Sequence, residues 1–133
     1  MVSAVEAAAA KRSIRSTAPS ARRLRILVAE DNPFNQQLVE HLLRRKGHDL
    51  RVASDGREAL AALERDRFDL MLLDVHMPGY DGFQVIEALR RREQATGGHL
   101  PVIALTARAM RSDRELCLQA GMDDYLAKPI AAA

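Results

Sequence analysis

Disulfide-forming cysteines, aromatic residues and long apolar runs are all scarce in this chain of 133 residues. The single cysteine, Cys117, excludes an internal disulfide framework and suits a reducing compartment. Only 4% of the residues are aromatic and tryptophan is absent, so we expect a core built from aliphatic side chains. No apolar run approaches the roughly 18 residues that a membrane-spanning helix needs, and no signal-peptide pattern is present. These absences favour a cytoplasmic protein with no membrane segment.

The chain also lacks a strong excess of charge: its net charge is +2, and the basic and acidic residues are unevenly distributed along the sequence. Residues 1–23 carry five basic side chains and one acidic side chain, whereas acidic residues exceed basic ones in residues 24–133. We interpret the first 23 residues, which are rich in Ala, Arg and Ser, as a flexible leader or linker rather than as an arm that binds nucleic acid. The domain at residues 24–133 has no basic face, so we predict no nucleic-acid partner.

Five short apolar segments alternate with four amphipathic segments from residue 24 onward. Continuous apolar segments are typical of strands buried on both faces of a parallel sheet, and we predict such interior strands at 24–29, 70–73 and 101–105. The shorter or more polar segments at 50–53 and 124–127 are predicted to be edge strands. This alternation predicts βα units with right-handed crossovers. We therefore expect an α/β fold, a flavodoxin-like doubly wound sheet of five parallel strands in the order 2-1-3-4-5.

Capping residues and helical spacing predict the four helices. Asn32 is predicted to cap the first helix, in which an apolar repeat at helical spacing begins with Phe34. The third helix is predicted from Phe83 to about Glu93, and we interpret the arginines at 90–92 as a solvated face. Capping boxes are predicted for the second and fourth helices, at Asp55 with Glu58 and at Ser112 with Glu115.

Chemically reactive side chains directly follow four of the five predicted strands. Glu30 and Asp31 follow the first strand, Asp74 the third, Thr106 the fourth and Lys128 the fifth. Because the carboxyl ends of parallel strands meet at one edge of the sheet, we expect these side chains to converge. Three crowded carboxylates need a cation to offset their charge, and hard oxygen ligands suit Mg²⁺. With an ammonium and a hydroxyl to hold an anion, the set predicts phosphoryl transfer to Asp74.

Four segments of the chain closely resemble the receiver domains of two-component response regulators, particularly those attached to hybrid histidine kinases. The resemblance covers about residues 24–130, and its combined motifs are specific. The matching segments are LVAEDNPFNQ (27–36), DLMLLDVHMPGYDGF (69–83), PVIALTARA (101–109) and AGMDDYLAKPI (120–130).

The resemblance implies a role for each residue of the predicted site. It implies that Asp74 is the phosphoacceptor, and that Mg²⁺ is held by Glu30, Asp31, Asp74 and the backbone carbonyl of His76. Thr106 and Lys128 are expected to contact the phosphoryl group. Tyr125 is expected to act as a switch that moves inward when Thr106 engages the phosphoryl group, and the peptide bond before Pro129 is expected to be cis.

Receiver domains normally carry a fifth helix after the last strand, and only Ile130 and three alanines follow Pro129 here. We therefore expect a C-terminally truncated receiver domain with apolar sheet surface left uncovered by a fifth helix. Either the chain alone is marginally stable, or a dimer partner, another protein or the Ala-rich N-terminal segment covers that face.

The implied function is acceptance of a phosphoryl group from a phosphohistidine on a histidine kinase or a histidine phosphotransfer protein. Such a domain is not an enzyme, except that it catalyses its own phosphorylation and dephosphorylation. Two alternatives stay open: a protein-interaction module that is never phosphorylated, and a truncated receiver fragment without output. A haloacid-dehalogenase-like phosphohydrolase is rejected, because that chemistry needs a second Asp two residues after the nucleophile, where this chain has His76. A transcription factor is not supported, because no recognition-helix domain follows residue 130.

Overall fold

The computed structural model describes residues 23–77, 79–106 and 111–127, with side chains described as far as residue 126 and omitted at 111–113. Within these ranges strands and helices alternate strictly, and no end of a predicted strand is displaced by more than one residue. The elements are β1 (Arg25–Ala29), α1 (Pro33–Arg45), β2 (Asp49–Ala53), α2 (Gly56–Arg65), β3 (Leu70–Asp74), α3 (Gly82–Thr96), β4 (Val102–Thr106), α4 (Arg111–Ala120) and β5 (Asp124–Ala127).

The five strands form one parallel sheet in the order β2-β1-β3-β4-β5, which confirms the predicted fold. The register sets the level at which the strands end. Ala29 lies opposite Leu73, so the residues that follow them, Glu30 and Asp74, lie side by side where β1 and β3 end. Asp74 in turn lies opposite Leu105, so Thr106 extends one residue further along the neighbouring strand. The sheet therefore delivers these side chains to a single rim.

Side-chain caps begin the first three helices. At α1 the side chain of Asn32 accepts hydrogen bonds from the backbone N–H groups of Phe34 and Asn35, which confirms the predicted cap. At α2 the side chain of Asp55 accepts from the N–H of Glu58, which is half of the predicted capping box. A box with both bonds forms instead at α3, between Asp81 and Gln84. The box predicted at Ser112 falls on a side chain outside the described residues.

Each face of the sheet carries its own aliphatic core. One core joins alternate residues of the strands to α1, through Val39, Leu42 and Leu43. The other joins the remaining strand residues to α2, α3 and α4, and includes the buried Cys117. All five positions of β3 and of β4 are buried, as expected for interior strands.

The apolar sheet surface that we expected to be exposed is not found among the described residues. Ile103 and Leu105 lie on the α1 face of β4, and both are 0% exposed. Leu126 of β5 is half-buried on the same face. The large apolar side chains that are exposed in the described ranges lie on helices instead: Phe34, Leu116 and Leu118. Residues 1–22 and 128–133, to which the predicted leader and the truncation refer, lie outside the described residues.

Two features of the helices differ from the sequence pattern. Phe34 begins the apolar repeat of α1, yet it lies in the first turn of the helix and is 71% exposed. The prediction that the third helix ends near Glu93 is wrong, since α3 continues to Thr96.

Arg90 is not part of a solvated face either, because its side chain is only 16% exposed. Its guanidinium donates to the backbone carbonyls of Gly121 (2.9 Å) and Leu100 (2.8 Å). It also forms ion pairs with Glu93 (2.7 Å) and Asp123 (2.8 Å). Arg90 thus ties the end of α3 to the segments that precede β4 and β5, at the rim opposite the carboxyl ends of the strands.

No helix within the described ranges combines the length and the apolar character needed to cross a bilayer.

Candidate functional site

Asp74 ends β3 with a carboxylate that is 0% exposed. Its Oδ1 accepts a hydrogen bond from the backbone N–H of His76 at 3.0 Å. The next residue, Val75, donates its N–H to the carbonyl of Leu105 at 3.0 Å and accepts from the N–H of Gly82 at 3.1 Å. The backbone directly after Asp74 is therefore fixed to β4 and to the start of α3, and the carboxylate is held at the end of the sheet.

Gly82 allows α3 to begin directly against the end of β3. A Cβ atom at this position would lie 2.6 Å from the carbonyl oxygen of Asp74 and 2.8 Å from the Cα of Val75. Gly56, the first residue of α2, approaches the turn before α3 in the same way, and a Cβ there would meet the carbonyl oxygen of Tyr80. These contacts involve backbone atoms, which cannot move aside as the end of a side chain can. The two glycines therefore position the segment that follows Asp74.

Glu30 and Asp31 follow β1 directly and differ in exposure. Glu30 is 0% exposed, and its N–H donates to the carbonyl of Ala53 at 3.0 Å, whereas Asp31 is exposed. One carboxylate oxygen from each of Glu30, Asp31 and Asp74 lies within 4.8 Å of the other two. In the described ranges this is the only group of three or more His, Cys, Asp or Glu side chains with such spacing. The structure therefore brings the three predicted carboxylates together.

This group of carboxylates fits a magnesium ion by chemistry and by size. All three ligands are hard oxygen atoms, which Mg²⁺ prefers, and two oxygens on opposite sides of one Mg²⁺ are about 4.2 Å apart. The observed limit of 4.8 Å is close to that span, so small side-chain movements would complete the coordination. Asp31 gives the group a solvent-facing side, through which an ion would enter.

Thr106 ends β4 beside the carboxylates and is 1% exposed. Tyr125 of β5 lies opposite Ala104 of β4. Its side chain is half-buried and packs against the core that includes α4. The guanidinium of Arg114 on α4 lies 5.3 Å from the centroid of the Tyr125 ring. Two other predicted site residues, Lys128 and Pro129, lie outside the described residues.

The polar side chains in the first turn of α1 also belong to the site, although the sequence pattern did not predict them. Oε1 of Glu30 accepts hydrogen bonds from the backbone N–H of Asn32 (3.1 Å) and from the side-chain amide of Asn35 (3.3 Å). The amide of Gln36 donates to the backbone carbonyl of Glu30 (2.5 Å) and to the hydroxyl of Ser54 (3.3 Å). Their spacing offered a clue, because side chains three and four residues after a helix cap point back toward the preceding strand.

A doubly wound parallel sheet with carboxylates gathered where neighbouring strands end defines a flavodoxin-like α/β domain with an acidic site at its carboxyl-end rim. The family can be stated as well. The sequence model of the family described as "Response regulator receiver domain" matches residues 26–133. The chain belongs to this family, as the four sequence segments predicted.

Relatives of known identity agree with this assignment. The sensor histidine kinase GacS of Pseudomonas protegens is 45% identical over 113 residues, which are 84% of this chain and 12% of GacS. The hybrid signal transduction histidine kinase I of Dictyostelium discoideum is 42% identical over 111 residues, which are 80% of this chain and 6% of that kinase. The chain thus spans a small part of the curated relatives that it matches first.

Solved structures share the fold. The receiver domain of the sensor histidine kinase PA1611 of Pseudomonas aeruginosa, solved with a magnesium ion coordinated in its active-site cleft, is 44% identical. The match covers 83% of this chain and 88% of that domain, with a TM-score of 0.73. The receiver domain of Saccharomyces cerevisiae Ssk1, in a co-crystal with the histidine phosphotransfer protein Ypd1, is 26% identical, with a TM-score of 0.77. That match covers 82% of this chain and 81% of the solved chain.

Proposed function

We propose that this receiver domain accepts a phosphoryl group on Asp74 from a phosphohistidine of a histidine kinase or a histidine phosphotransfer protein. One observation carries the proposal: a fully buried carboxylate at the end of a central strand lies within 4.8 Å of two other carboxylates. Two buried carboxylates with a third beside them are unfavourable for folding unless a cation offsets their charge. A purely structural role would not require this arrangement.

In the proposed reaction a carboxylate oxygen of Asp74 attacks the phosphorus atom. A P–O bond forms, the P–N bond of the phosphohistidine breaks, and the imidazole of the donor leaves with the bonding electron pair. The chemistry that Mg²⁺ supplies when bound by Glu30, Asp31, Asp74 and the carbonyl of His76 is neutralisation of charge between the carboxylate and the phosphoryl oxygens. Thr106 donates a hydrogen bond to a phosphoryl oxygen, and Lys128 supplies a positive charge by analogy with the family.

The output of this reaction is a shift between two conformations, in which Thr106 moves toward the phosphoryl group and Tyr125 moves inward. The positions of the two residues support this coupling. They lie on adjacent strands, and Tyr125 is half-buried rather than locked in the core. Under this proposal the domain catalyses only its own phosphorylation and dephosphorylation.

Two of the related structures support the choice of cofactor and partner. The PA1611 receiver domain holds magnesium, and the Ssk1 receiver domain forms a complex with a histidine phosphotransfer protein. We extend both properties to this chain as part of the proposal.

Intact mass spectrometry of the full chain after incubation with Mg²⁺ and acetyl phosphate tests the proposal. We expect one added phosphoryl group in the wild type and none in Asp74→Asn or after removal of Mg²⁺. Asp49→Asn is a matched control, because Asp49 is an aspartate at the opposite end of the sheet, and this variant should be phosphorylated normally. A folded wild-type chain that gains no phosphoryl group would contradict the proposal and favour an interaction module that is never phosphorylated.

A further inference from the structure

We propose that Asn35 is a positioning residue that holds the carboxylate of Glu30 toward the bound cation. The inference rests on the proposed function, because it assigns the shell around the same magnesium site. The observation behind it is the pair of hydrogen bonds that Oε1 of Glu30 accepts from the first turn of α1, one from the backbone N–H of Asn32 and one from the Asn35 amide.

Glu30 needs such support more than the other two carboxylates do. A glutamate side chain has one more rotatable bond than an aspartate, so more conformations must be removed before its carboxylate is in place. Asp74 is fixed by the strand that it ends and by its bond to the N–H of His76. Glu30 follows β1 rather than lying within it, and the described bonds to its carboxylate come from α1.

The two donors that the structure describes at Oε1 of Glu30 are neutral, and this matters for cation binding. Hydrogen bonds from an amide and from the N-terminal turn of a helix stabilise a carboxylate in its charged form without cancelling its charge. A lysine or arginine at position 35 would instead compete with the cation for the same oxygens. The Asn32 N–H that donates to Oε1 is a backbone group, which most residues at position 32 would also present. Of these two donors, only the Asn35 amide depends on the identity of a side chain.

The position of Asn35 in the helix explains why it must be a donor. It lies three residues after the cap Asn32, where a capping box would place a side chain that accepts from the N–H of the cap. Here the carboxylate of Glu30 accepts from that N–H instead. A second acidic side chain at position 35 would repel Glu30, whereas the amide of Asn35 donates to it. The Gln36 amide complements this arrangement by binding the backbone carbonyl of Glu30.

Calorimetric titration of the full chain with Mg²⁺ tests the proposal. We expect Asn35→Ala, and also Asn35→Leu, which keeps a similar volume without the donor, to raise the dissociation constant for Mg²⁺ about tenfold, as loss of a supporting hydrogen bond around a metal typically does. Gln37→Ala removes an exposed amide from the same helix and should leave the constant unchanged. Melting temperatures measured in EDTA should be similar for all variants, because the effect is on the ion and not on the fold.

A double-mutant cycle tests whether Asn35 affects Mg²⁺ binding through Glu30 or independently of Glu30. In a Glu30→Gln background, the additional change Asn35→Ala should alter the dissociation constant less than about twofold, because little is left for Asn35 to position. Equal Mg²⁺ affinity in the wild type and both Asn35 variants would overturn the inference and leave the proposed function intact. If Asn35→Ala raised the dissociation constant as much in the Glu30→Gln background as in the wild type, the inference would be overturned too. A wild-type chain that binds no Mg²⁺ would contradict the magnesium site of the proposed function itself, and the inference would fall with it.

Discussion

Gly82 lies where the first turn of α3 meets the end of β3, closer to the backbone of Asp74 than any side chain permits. Gly82→Ala would place a methyl group 2.6 Å from the Asp74 carbonyl oxygen, so the helix or the strand end must shift. We expect this variant to lose about 1–3 kcal/mol in the free energy of unfolding. We also expect it to lose most of its Mg²⁺ affinity, because the displaced atoms belong to Asp74, one of the three grouped carboxylates. Urea denaturation and Mg²⁺ titration measure the two effects.

Gly47→Ala is the control for Gly82→Ala, because it makes the same substitution at a glycine far from the site. A Cβ atom at Gly47 would have no heavy atom within 4 Å, and its positive φ of 87° sets the only cost, about 1–2 kcal/mol. Because Gly47 ends α1 at the far end from the site, its Mg²⁺ affinity should be unchanged. If the two variants bound Mg²⁺ equally well, the close packing at Gly82 would have no role in the site.

Among the elements, α3 is joined to the segments before the next two strands by the several polar contacts of one arginine, Arg90. Arg90→Ala removes two bonds to backbone carbonyls and two ion pairs from a largely buried position, and leaves Glu93 and Asp123 without this cation. We expect a loss of about 2–4 kcal/mol, below the full cost of breaking a buried pair because the site keeps some contact with water. Thermal or urea unfolding measures this loss.

The adjacent arginine is a control on the same helix. Arg91 pairs with Glu87 at 2.8 Å, but the two side chains are 75% and 69% exposed, so Arg91→Ala should cost less than about 0.5 kcal/mol. Both variants should still accept a phosphoryl group, because Arg90 and Arg91 lie away from the rim that carries Asp74. A similar loss of stability in the two variants would mean that the contacts of Arg90 contribute no more than a surface pair.

The elements were largely predictable from the sequence, and the exceptions have physical reasons. Continuous apolar runs identified the interior strands, and Asn32 identified the start of α1, because each feature acts locally. The run Arg90–Arg92 has three identical side chains, and its composition does not reveal which of them turns inward. That choice depends on carbonyls and carboxylates at Leu100, Gly121 and Asp123, which only the folded chain brings near. Phe34 fits the apolar repeat of α1 but is exposed, because helical spacing identifies a face of the helix and not how far the core extends along it.

On the scale of the whole molecule, the acidic rim couples ligand binding to stability. A ligand that binds only the folded state raises the free energy of unfolding, by about 1.4 kcal/mol at ten times its dissociation constant. Mg²⁺ should therefore raise the melting temperature of the wild type but have little effect on Asp74→Asn. In EDTA, without Mg²⁺, we expect Asp74→Asn to unfold at a higher temperature than the wild type. Removing one of three crowded carboxylates relieves their repulsion, so Asp74→Asn should be more stable than the wild type by about 0.5–2 kcal/mol.

Scanning calorimetry with and without Mg²⁺ measures both effects. Asp49→Asn, which changes a partly exposed aspartate at the other end of the sheet, should respond to Mg²⁺ as the wild type does. Equal responses of the wild type and Asp74→Asn to Mg²⁺ would show that the ion does not bind at the rim.

The order of the strands and the meeting of Glu30, Asp31 and Asp74 were predictable for one reason: parallel strands share a direction. Strand order followed from which segments are apolar throughout, and the site followed from the residues just beyond Ala29, Leu73 and Leu105. The roles of Asn35 and Gly82 could not be predicted in this way. They depend on distances of a few ångströms between α1, α3 and the strand ends, which the sequence pattern does not determine.

The location of the phosphoryl group tests the central claim most directly. Borohydride reduces an aspartyl phosphate to homoserine and leaves free carboxylates unchanged, so treatment of the phosphorylated chain followed by peptide mass mapping identifies the acceptor. Homoserine at position 74, formed only when Mg²⁺ is present during phosphorylation, is the predicted result. Homoserine at another position, or none at position 74 in a chain that has gained a phosphoryl group, would contradict the assignment of Asp74 as the acceptor.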